Sequence, residues 1–418
     1  MRDPQRQYVY GSTLSVSFPD FPSMSRLPRY ITVHQEMGQH DVIELYYQTF
    51  SPFMTDALKT GVPVVIEWSN DKTPKKIHGY TTDVSFPTMQ VIERYMKVTC
   101  VAASYPLKER TPKIWKNATA SEIVTDIAKE YNLTPVVTPS PIRFGQRSST
   151  KHSRWEFIAS LADTIGYGFQ VIGTELHFHP VDVMIDKFMT TIPTLAFLDP
   201  FLNPTTNYNA QTLDYFQPRL GDHIEKNANN RTLKVLGGVD PVSGKVYKAT
   251  ASPSVVGKDV RSTVKDPLFK SNETAVTTGS QKMATDIAEA KAQMARLSIP
   301  AKGEAQGDPR ISPWATIEIR GTGSTSDGFW IVESATHTIH YDGRYKTEFT
   351  ALVDGVGSNK RSATRPSSAG VVPSRDLNLS SSTANFSTPT SPKLSAKELM
   401  VNQTGSGFNT LKRRWVGR

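Results

Sequence analysis

Between residues 13 and 103, apolar and polar positions alternate in short runs. The runs are Thr13 to Phe18, Tyr30 to His34, Val42 to Thr49, Val62 to Trp68, Lys76 to Val84 and Gln90 to Ala103, with Pro and Gly between them. A period of two marks half-buried strands, and several short strands at this spacing predict a small barrel or sandwich. From about residue 112 the period changes to that of a helix. Thr119 and Glu122 form a Ser/Thr-x-x-Glu capping box ahead of Ile123, Ile127 and Tyr131, with Val124 and Ala128 alongside; Ser153 and Glu156 repeat the device ahead of Phe157, Ile158, Leu161, Ala162 and Ile165. Two short amphipathic helices follow from this. The segment GFQVIGTELHFH, residues 168–179, predicts a hairpin turned at Gly173 and Thr174.

Residues 185 to about 275 carry a weaker pattern, with strand-like pieces at Arg231 to Leu236 and Lys245 to Thr250. An Ala-rich stretch from Thr277 to Leu297 places Met283, Ile287, Ala290, Met294 and Leu297 on one stripe, and Pro300 marks its end. A second β region follows: Ala315 to Arg320, Gly328 to Tyr341 and Tyr345 to Val353. It has the same order as the first, a short strand with Ile-Glu at its end, a loop, a long strand, a turn and a long strand. In the first region a Gly-x-Pro precedes VVIEW, and in the second a Gly-Asp-Pro precedes ATIEIRG, so the chain reads as a candidate internal duplication. After residue 355 Ser, Thr, Pro and Asn dominate. Such a segment buries too little apolar surface to offset its ordering entropy, so a flexible tail is expected, ending in a docking peptide, ELMVNQTGSGFNTLKRRWVGR.

The expected fold class is therefore mainly β with an α+β insertion. Its parts are a first β-barrel domain at 1–110, a small α+β module at 111–182, a second β-barrel domain at 183–355 that includes the Ala-rich helix 277–297, and a low-complexity basic tail at 356–418. A length of 418 residues accommodates several such domains. The net charge of +9 suggests nucleic acid until it is located. From Gly355 onward ten Lys or Arg face two acids, Asp376 and Glu398, which is +8 and leaves about +1 for the rest. A basic DNA-reading face on the folded part is not expected. The N-terminus lacks the apolar core of a signal peptide, and no stretch of about 18 apolar residues occurs, so neither secretion nor membrane insertion is expected.

Candidate chemistry is sparse. Cys100 is the one cysteine, in an apolar run, and reads as a buried small hydrophobe. His177 and His179 share a strand face at a spacing that metals use, without a third ligand nearby. His337, His340, Asp342 and Glu333 lie on a long strand and its turn, where positions three apart point to opposite faces. Glu304 with Asp308, or Asp83 with Glu93, imitate paired acids but read as surface charge. The Gly-rich stretch GTGSTSDG, residues 321–328, follows a strand without leading into a helix and reads as a hairpin loop. Trp115, Trp155, Trp314 and Trp330 could stack on sugars or bases, yet each sits in a core-like pattern. No catalytic, cofactor-binding or metal-ligating residue is assigned, and no enzyme is expected.

Three blocks in order, IWKNATASEIVTDIAKEYNL (114–133), SRWEFIASLADTIGYGFQVIGTELHFHP (153–180), and a closing block, resemble a known family. The closing block runs from ATDIAEAKAQMARL (284–297) through GDPRISPWATIEIRG (307–321) to DGFWIVESATHTIHYDGRYKTEFTAL (327–352). That family is the phage late control protein D and baseplate hub proteins, related to the hub portion of the valine-glycine repeat protein of type VI secretion. The resemblance implies two tail-tube-like barrels with an inserted module, in a homotrimer that adapts a sixfold tube to a threefold spike. It further implies as partners the tail tube or a distal tail protein above, the central spike below, other baseplate proteins and a tape measure protein, with DNA only as passing cargo. The expected place is the virion, assembled in the host cytoplasm. The helix pair at 119–165 also resembles a LysM-like unit, which makes a peptidoglycan-binding tail module the alternative.

Overall fold

The alternation along the first hundred residues builds a curled sheet. Its strands are β1 (Thr13–Ser17), β2 (Tyr30–Glu36), β3 (Val42–Tyr47), β4 (Pro63–Asn70), β5 (Thr73–Ser85) and β6 (Met96–Ala102), with a short helix α1 (Pro52–Ala57) between β3 and β4. The computed structural model describes residues 12–353 except 23–26, 49–51, 71–72, 86–94, 190, 198–210, 220–232, 240–243, 245, 252–271, 274–279, 296, 298 and 324–325. The expected tail and docking peptide, 356–418, therefore lie outside the described residues, as does Glu93. The sheet order is β1-β4-β5-β6-β3-β2, antiparallel throughout. Inward residues such as Ile31, Val33, Ile43, Leu45, Ile66, Trp68, Met96 and Val98 form one core. A fully buried aliphatic side chain of this kind stabilises by about 1.5–3 kcal/mol, which is why the period-two pattern fixes which face turns in.

The middle of the chain follows its caps. β7 (Ile114–Thr119) leads into α2 (Ala120–Glu130), followed by β8 (Thr134–Val137), β9 (Arg143–Ser148), α3 (Arg154–Ile165), β10 (Tyr167–Ile172) and β11 (Glu175–Pro180). Both capping boxes form. The Glu122 amide donates to Thr119 Oγ1 at 3.2 Å while Glu122 Oε2 accepts from the Thr119 amide at 2.8 Å, and Ser153 and Glu156 exchange the same pair. Each cap satisfies donors otherwise orphaned at a helix start, typically about 1 kcal/mol. The hairpin β10–β11 turns at Gly173 and Thr174 and is joined in parallel by β8; β7 and β9 make a separate antiparallel ribbon that the residue pattern did not announce.

Next come α4 (Val181–Phe188), β12 (Thr194–Ala196), β13 (Gln211–Pro218), β14 (Leu233–Val239), β15 (Val246–Ala251), β16 (Asn272–Glu273) and the Ala-rich helix α5 (Gln281–Ala295). Ala284, Ile287 and Ala288 of α5, with Ala249 of β15, join the core built by α2 and α3. β15 and α5 thus side with the inserted module. β17 (Ile299–Gln306), β18 (Thr316–Arg320), β19 (Gly328–His340) and β20 (Tyr345–Val353) then return to β structure. Together with β12 and β13 they close a six-stranded barrel, β12-β18-β19-β20-β17-β13, around Leu195, Leu213, Ile317, Trp330 and Phe349. The architecture is mainly β with an α+β insertion, as the sequence pattern implies.

The two β units are copies of one plan. β4, β5, β6, β3 and β2 occupy the places of β18, β19, β20, β17 and β13. Each long strand carries a bulge at the matching point, between Thr81 and Asp83 in β5 and between Val332 and Ser334 in β19. Just before each short strand, a residue with positive φ donates its amide to the bulge. Gly61 (φ 90°) donates to Thr81 O at 2.7 Å, and Trp314 (φ 70°) to Val332 O at 2.9 Å. The counterpart of Gly61 is therefore Trp314, and the Gly-Asp-Pro at 307–309 that sequence alone aligned with it lies outside the match. β12 fills the place of β1 but runs in the opposite direction, parallel to β18, and so reaches β13 and closes the second barrel. The first unit has no such bridge among the described residues; the β19–β20 hairpin plugs it instead, with Ile339 and Tyr345 in its core.

Beyond the bulge, β19 leaves β18 and pairs with β2 from Tyr30–His340 to Glu36–Ser334, so one sheet runs through both units. All described residues belong to one compact unit.

Gly166 caps α3 at φ 69°, and a Cβ there would collide with Ala290 of α5, whereas Gly173 (φ 58°) has open space. Gly173→Ala is expected to lower stability by about 1–2 kcal/mol, the left-handed penalty alone, and Gly166→Ala by clearly more. Urea unfolding of the two variants checks the difference.

Candidate functional site

The candidate site lies where the inserted module meets both β units. Asp41 precedes β3 and falls on the inward parity with Ile43 and Leu45; it is 6% exposed. Gln35, inward on β2, donates Nε2–H to Asp41 Oδ2 at 2.6 Å, and Gln170 of β10 donates Nε2–H to Oδ1 at 3.2 Å. Gln170 Oε1 accepts from the Gly38 amide at 3.1 Å, so a module side chain braces the β2–β3 turn. Lys75 of β5 donates Nζ–H to Gln35 Oε1 at 3.1 Å and to the Pro309 carbonyl at 3.3 Å, reaching the loop after β17. Lys75, Gln35, Asp41, Gln170, Lys187 and Arg310 border a cavity of about 250 Å³.

Polar contacts continue from this loop into the second unit. Asp308, fully buried, is gripped by Arg310, with Nε–H and Nη2–H donated to Oδ2 at 2.9 and 2.6 Å. Its amide donates to Thr347 Oγ1 at 3.3 Å, and Thr347 Oγ1 lies 2.9 Å from His337 Nδ1. Tyr345 OH meets the same nitrogen at 2.9 Å and accepts Trp68 Nε1–H at 3.1 Å. The result is a polar network threading β2, β4, β5, β10, β19, β20 and the loop after β17. Buried polar groups of this sort are tolerated where hydrogen bonds satisfy them, and each bond is directional, so the network selects one way of fitting the parts together.

Burial sets the electrostatics. It pushes the Asp41 carboxyl up to about 6, against the two amide bonds and Lys75, which pull it down. It pulls the Lys75 ammonium down to about 8 despite attraction from Asp41 and Asp308. Burial, with Lys75 nearby, holds His337 well below the usual imidazole range. An acid and an amine shifted toward neutrality border this cavity, and the hydrogen bonds described for them go to partners that join parts of the fold.

The residues weighed from sequence are not brought into one site. His177 and His179 are both buried, with ring centroids 5.8 Å apart; His177 pairs with Glu175 at 3.1 Å and His179 Nδ1 with Thr138 Oγ1 at 2.8 Å. Burial and Lys187 lower His179 to about 4. Among the described residues no group of three or more His, Cys, Asp or Glu is placed to hold a metal ion. Glu304 faces Lys346 at 3.5 Å while Asp308 faces Arg310, and Asp83 is exposed on β5. His340 tilts against Tyr30, Asp342 pairs with Arg344, and His337 lies in the network, so these do not converge. Trp155, Trp314 and Trp330 are buried, and Trp115 stacks on Phe157 with centroids 5.3 Å apart. Cys100 is fully buried, its thiol pushed up to about 12. No described helix is long and apolar enough to cross a membrane. The network residues Asp41, Gln35, Lys75 and Gln170 escaped the sequence reading; the sign was there for the first three, which are polar groups on the inward parity of a strand.

With this geometry in hand, comparison with solved structures places the fold. The tail protein from Neisseria meningitidis MC58 matches at 11% identity over 82% of this chain and 96% of its own, with a TM-score of 0.57. The 43 kDa tail protein of prophage MuSo2 from Shewanella oneidensis matches at 12% identity over 82% and 98%, also at 0.57. No family model matches the sequence, and neither does any curated protein. The chain has the fold of phage tail proteins.

Because Asp41 holds its proton more tightly folded than unfolded, its contribution to stability falls as pH rises from about 4 to about 6. The buried imidazoles act with the opposite sign, so the comparison of wild type with Asp41→Asn isolates the carboxyl. Over that window the variant is expected to gain up to about 3 kcal/mol relative to wild type, read from urea unfolding at several pH values.

Proposed function

We propose that this chain is the structural hub protein of a phage tail baseplate. In this reading three copies form a ring that joins a sixfold tail tube above to a threefold central spike below, and the opening of the ring is part of the path for ejected DNA. The observation that carries it is the duplicated β unit: two copies of one six-stranded plan share a single sheet within one chain, so three chains supply six similar units. A closed ring of three duplicated chains presents sixfold and threefold symmetry at once. The likeness to two tail proteins, along nearly their whole lengths, supports the same class. The division into barrel, module, barrel and basic tail belongs to this proposal, as do tail-tube, spike, baseplate and tape measure partners and residence in the virion. The role is non-enzymatic: the polar network joins parts of the fold, and no residue is assigned to catalysis.

Light scattering on the purified protein, with negative-stain images of the same sample, tests the reading. A mass near three chains with ring-shaped particles is expected. A monomer that binds peptidoglycan in a pull-down would replace the hub reading by the wall-binding one. Removal of residues 356–418 is expected to abolish spike attachment in a co-purification assay while leaving the trimer mass unchanged, less the deleted residues; undiminished spike binding would assign the tail no such role.

A further inference from the structure

The cavity beside Asp41 and Lys75 has unspent hydrogen-bonding capacity of one kind only. Its walls include β5 of the first β unit, the β10–β11 hairpin, the end of α4 and the loop after β17. Four cations, Lys75, Lys76, Lys187 and Arg310, and a single acid, Asp41, line it. The acid is already served. Gln35 and Gln170, themselves 6% and 3% exposed, cap its two oxygens with amide N–H groups. Two of the cations are served as well, Lys76 by Glu67 and Arg310 by Asp308, each at 2.6 Å.

Lys75 and Lys187 are not. An ammonium offers three protons. Lys75 gives one to Gln35 Oε1 and one to Pro309 O, both neutral acceptors, and Asp41 attracts its charge while bonding to the amides instead. Lys187 stands exposed at the mouth, its ammonium without a hydrogen bond or ion pair to any described residue. What enters the cavity therefore meets donors in want of an acceptor, and a charged acceptor makes the stronger bond.

Much of the remaining wall is apolar: Val171, Ile172, Phe188, Pro309 and Pro313. Ile172 is 37% exposed in the absence of anything against it. An apolar cavity of about 150 Å³ holds benzene, so one of about 250 Å³ takes a ring-sized body with a small charged group and little more. A bare phosphate would leave this wall unfilled.

We propose that the cavity binds a carboxylate carried on a compact apolar body, with Lys75 as the inner partner of the anion and Lys187 drawing it in at the mouth. The body lies against Phe188, Ile172 and the prolines. Such a ligand touches α4, the hairpin, β5 and the loop after β17 together, so its binding stabilises their arrangement by mass action. All the lining residues belong to one chain, and the pocket stands whether or not the chain forms a ring. Two sources of the carboxylate fit, a free small acid or the end of a partner polypeptide, because Lys187 and Thr191 leave the mouth open to solvent.

Ligand-observed NMR titration of the full chain near neutral pH tests this, with benzoate as the probe and benzamide as its neutral isostere. Benzoate is expected to bind with a Kd of about 1 mM or below, and benzamide about tenfold more weakly, the worth of one charge-assisted hydrogen bond. Lys75→Gln is expected to weaken benzoate about tenfold and Lys187→Gln several-fold. Lys187 is exposed, so its variant decides alone if Lys75→Gln folds poorly. Lys129→Gln, an exposed lysine of α2 outside the cavity, controls for net charge and is expected to leave binding unchanged. The free acid of N-acetyl-Ala-Ala-Phe separates the sources: competition with benzoate assigns a chain end, and binding of benzoate alone assigns a free small acid. Equal binding of benzoate and benzamide, tighter binding of inorganic phosphate, undiminished affinity in Lys187→Gln, or no benzoate signal at about 10 mM would each overturn the proposal.

Discussion

Seven residue pairs between β2 and β19, from Tyr30–His340 to Glu36–Ser334, hold the two β units in one sheet. The pairing depends on the bulge in β19, which turns the strand away from β18 and toward the first unit. Because side chains alternate in a strand, a slip of one residue would carry Ile31 and Val33 out of one core and Ile339 with them. The junction is thus specified by apolar burial on one face and by backbone pairing along the edge. Neither unit has all its surroundings without it: the β19–β20 hairpin fills the open side of the first unit, and Ser12 Oγ–H donates to Gly343 O at 2.6 Å in its turn.

Behind this sheet, the polar network decides how the inserted module sits. Its net contribution to stability is modest, since a buried charge pair gives back in desolvation much of what attraction supplies. Its directionality counts for more. Asp41 takes amides from β2 and β10, and Lys75 reaches β2 and the 308–313 loop, so shifting either part would leave buried groups without partners. Such a block keeps module and barrels from drifting apart.

Local features were legible in the sequence. Both capping boxes and the hairpin at Gly173 and Thr174 needed only nearby residues and appear where the spacing put them, whereas α5 buries Ala284, Ile287 and Ala288 and leaves Met283 and Ala290 of the expected stripe half-buried. The duplication was visible as an order of strands but not in its alignment. Trp314 takes the positive φ that Gly61 takes in the other copy, and no residue type announces that role for tryptophan. The polar network joins residues more than a hundred positions apart, such as Asp41 and Gln170, which pattern along the chain does not connect. β12 is three residues long and parallel to both neighbours, too short for any period to register.

The single-block character of the two β units is the claim on which the rest stands. Amide hydrogen exchange followed along β2 and β19 measures it most directly, since exchange reports the free energy of opening at each residue. The junction amides of Val33, Gln35, Ala335 and His337 are expected to exchange only with global unfolding, at the same opening free energy as those of β6 and β20. Faster exchange at the junction, with both barrel cores still protected, would show two units that part from one another and would contradict the block.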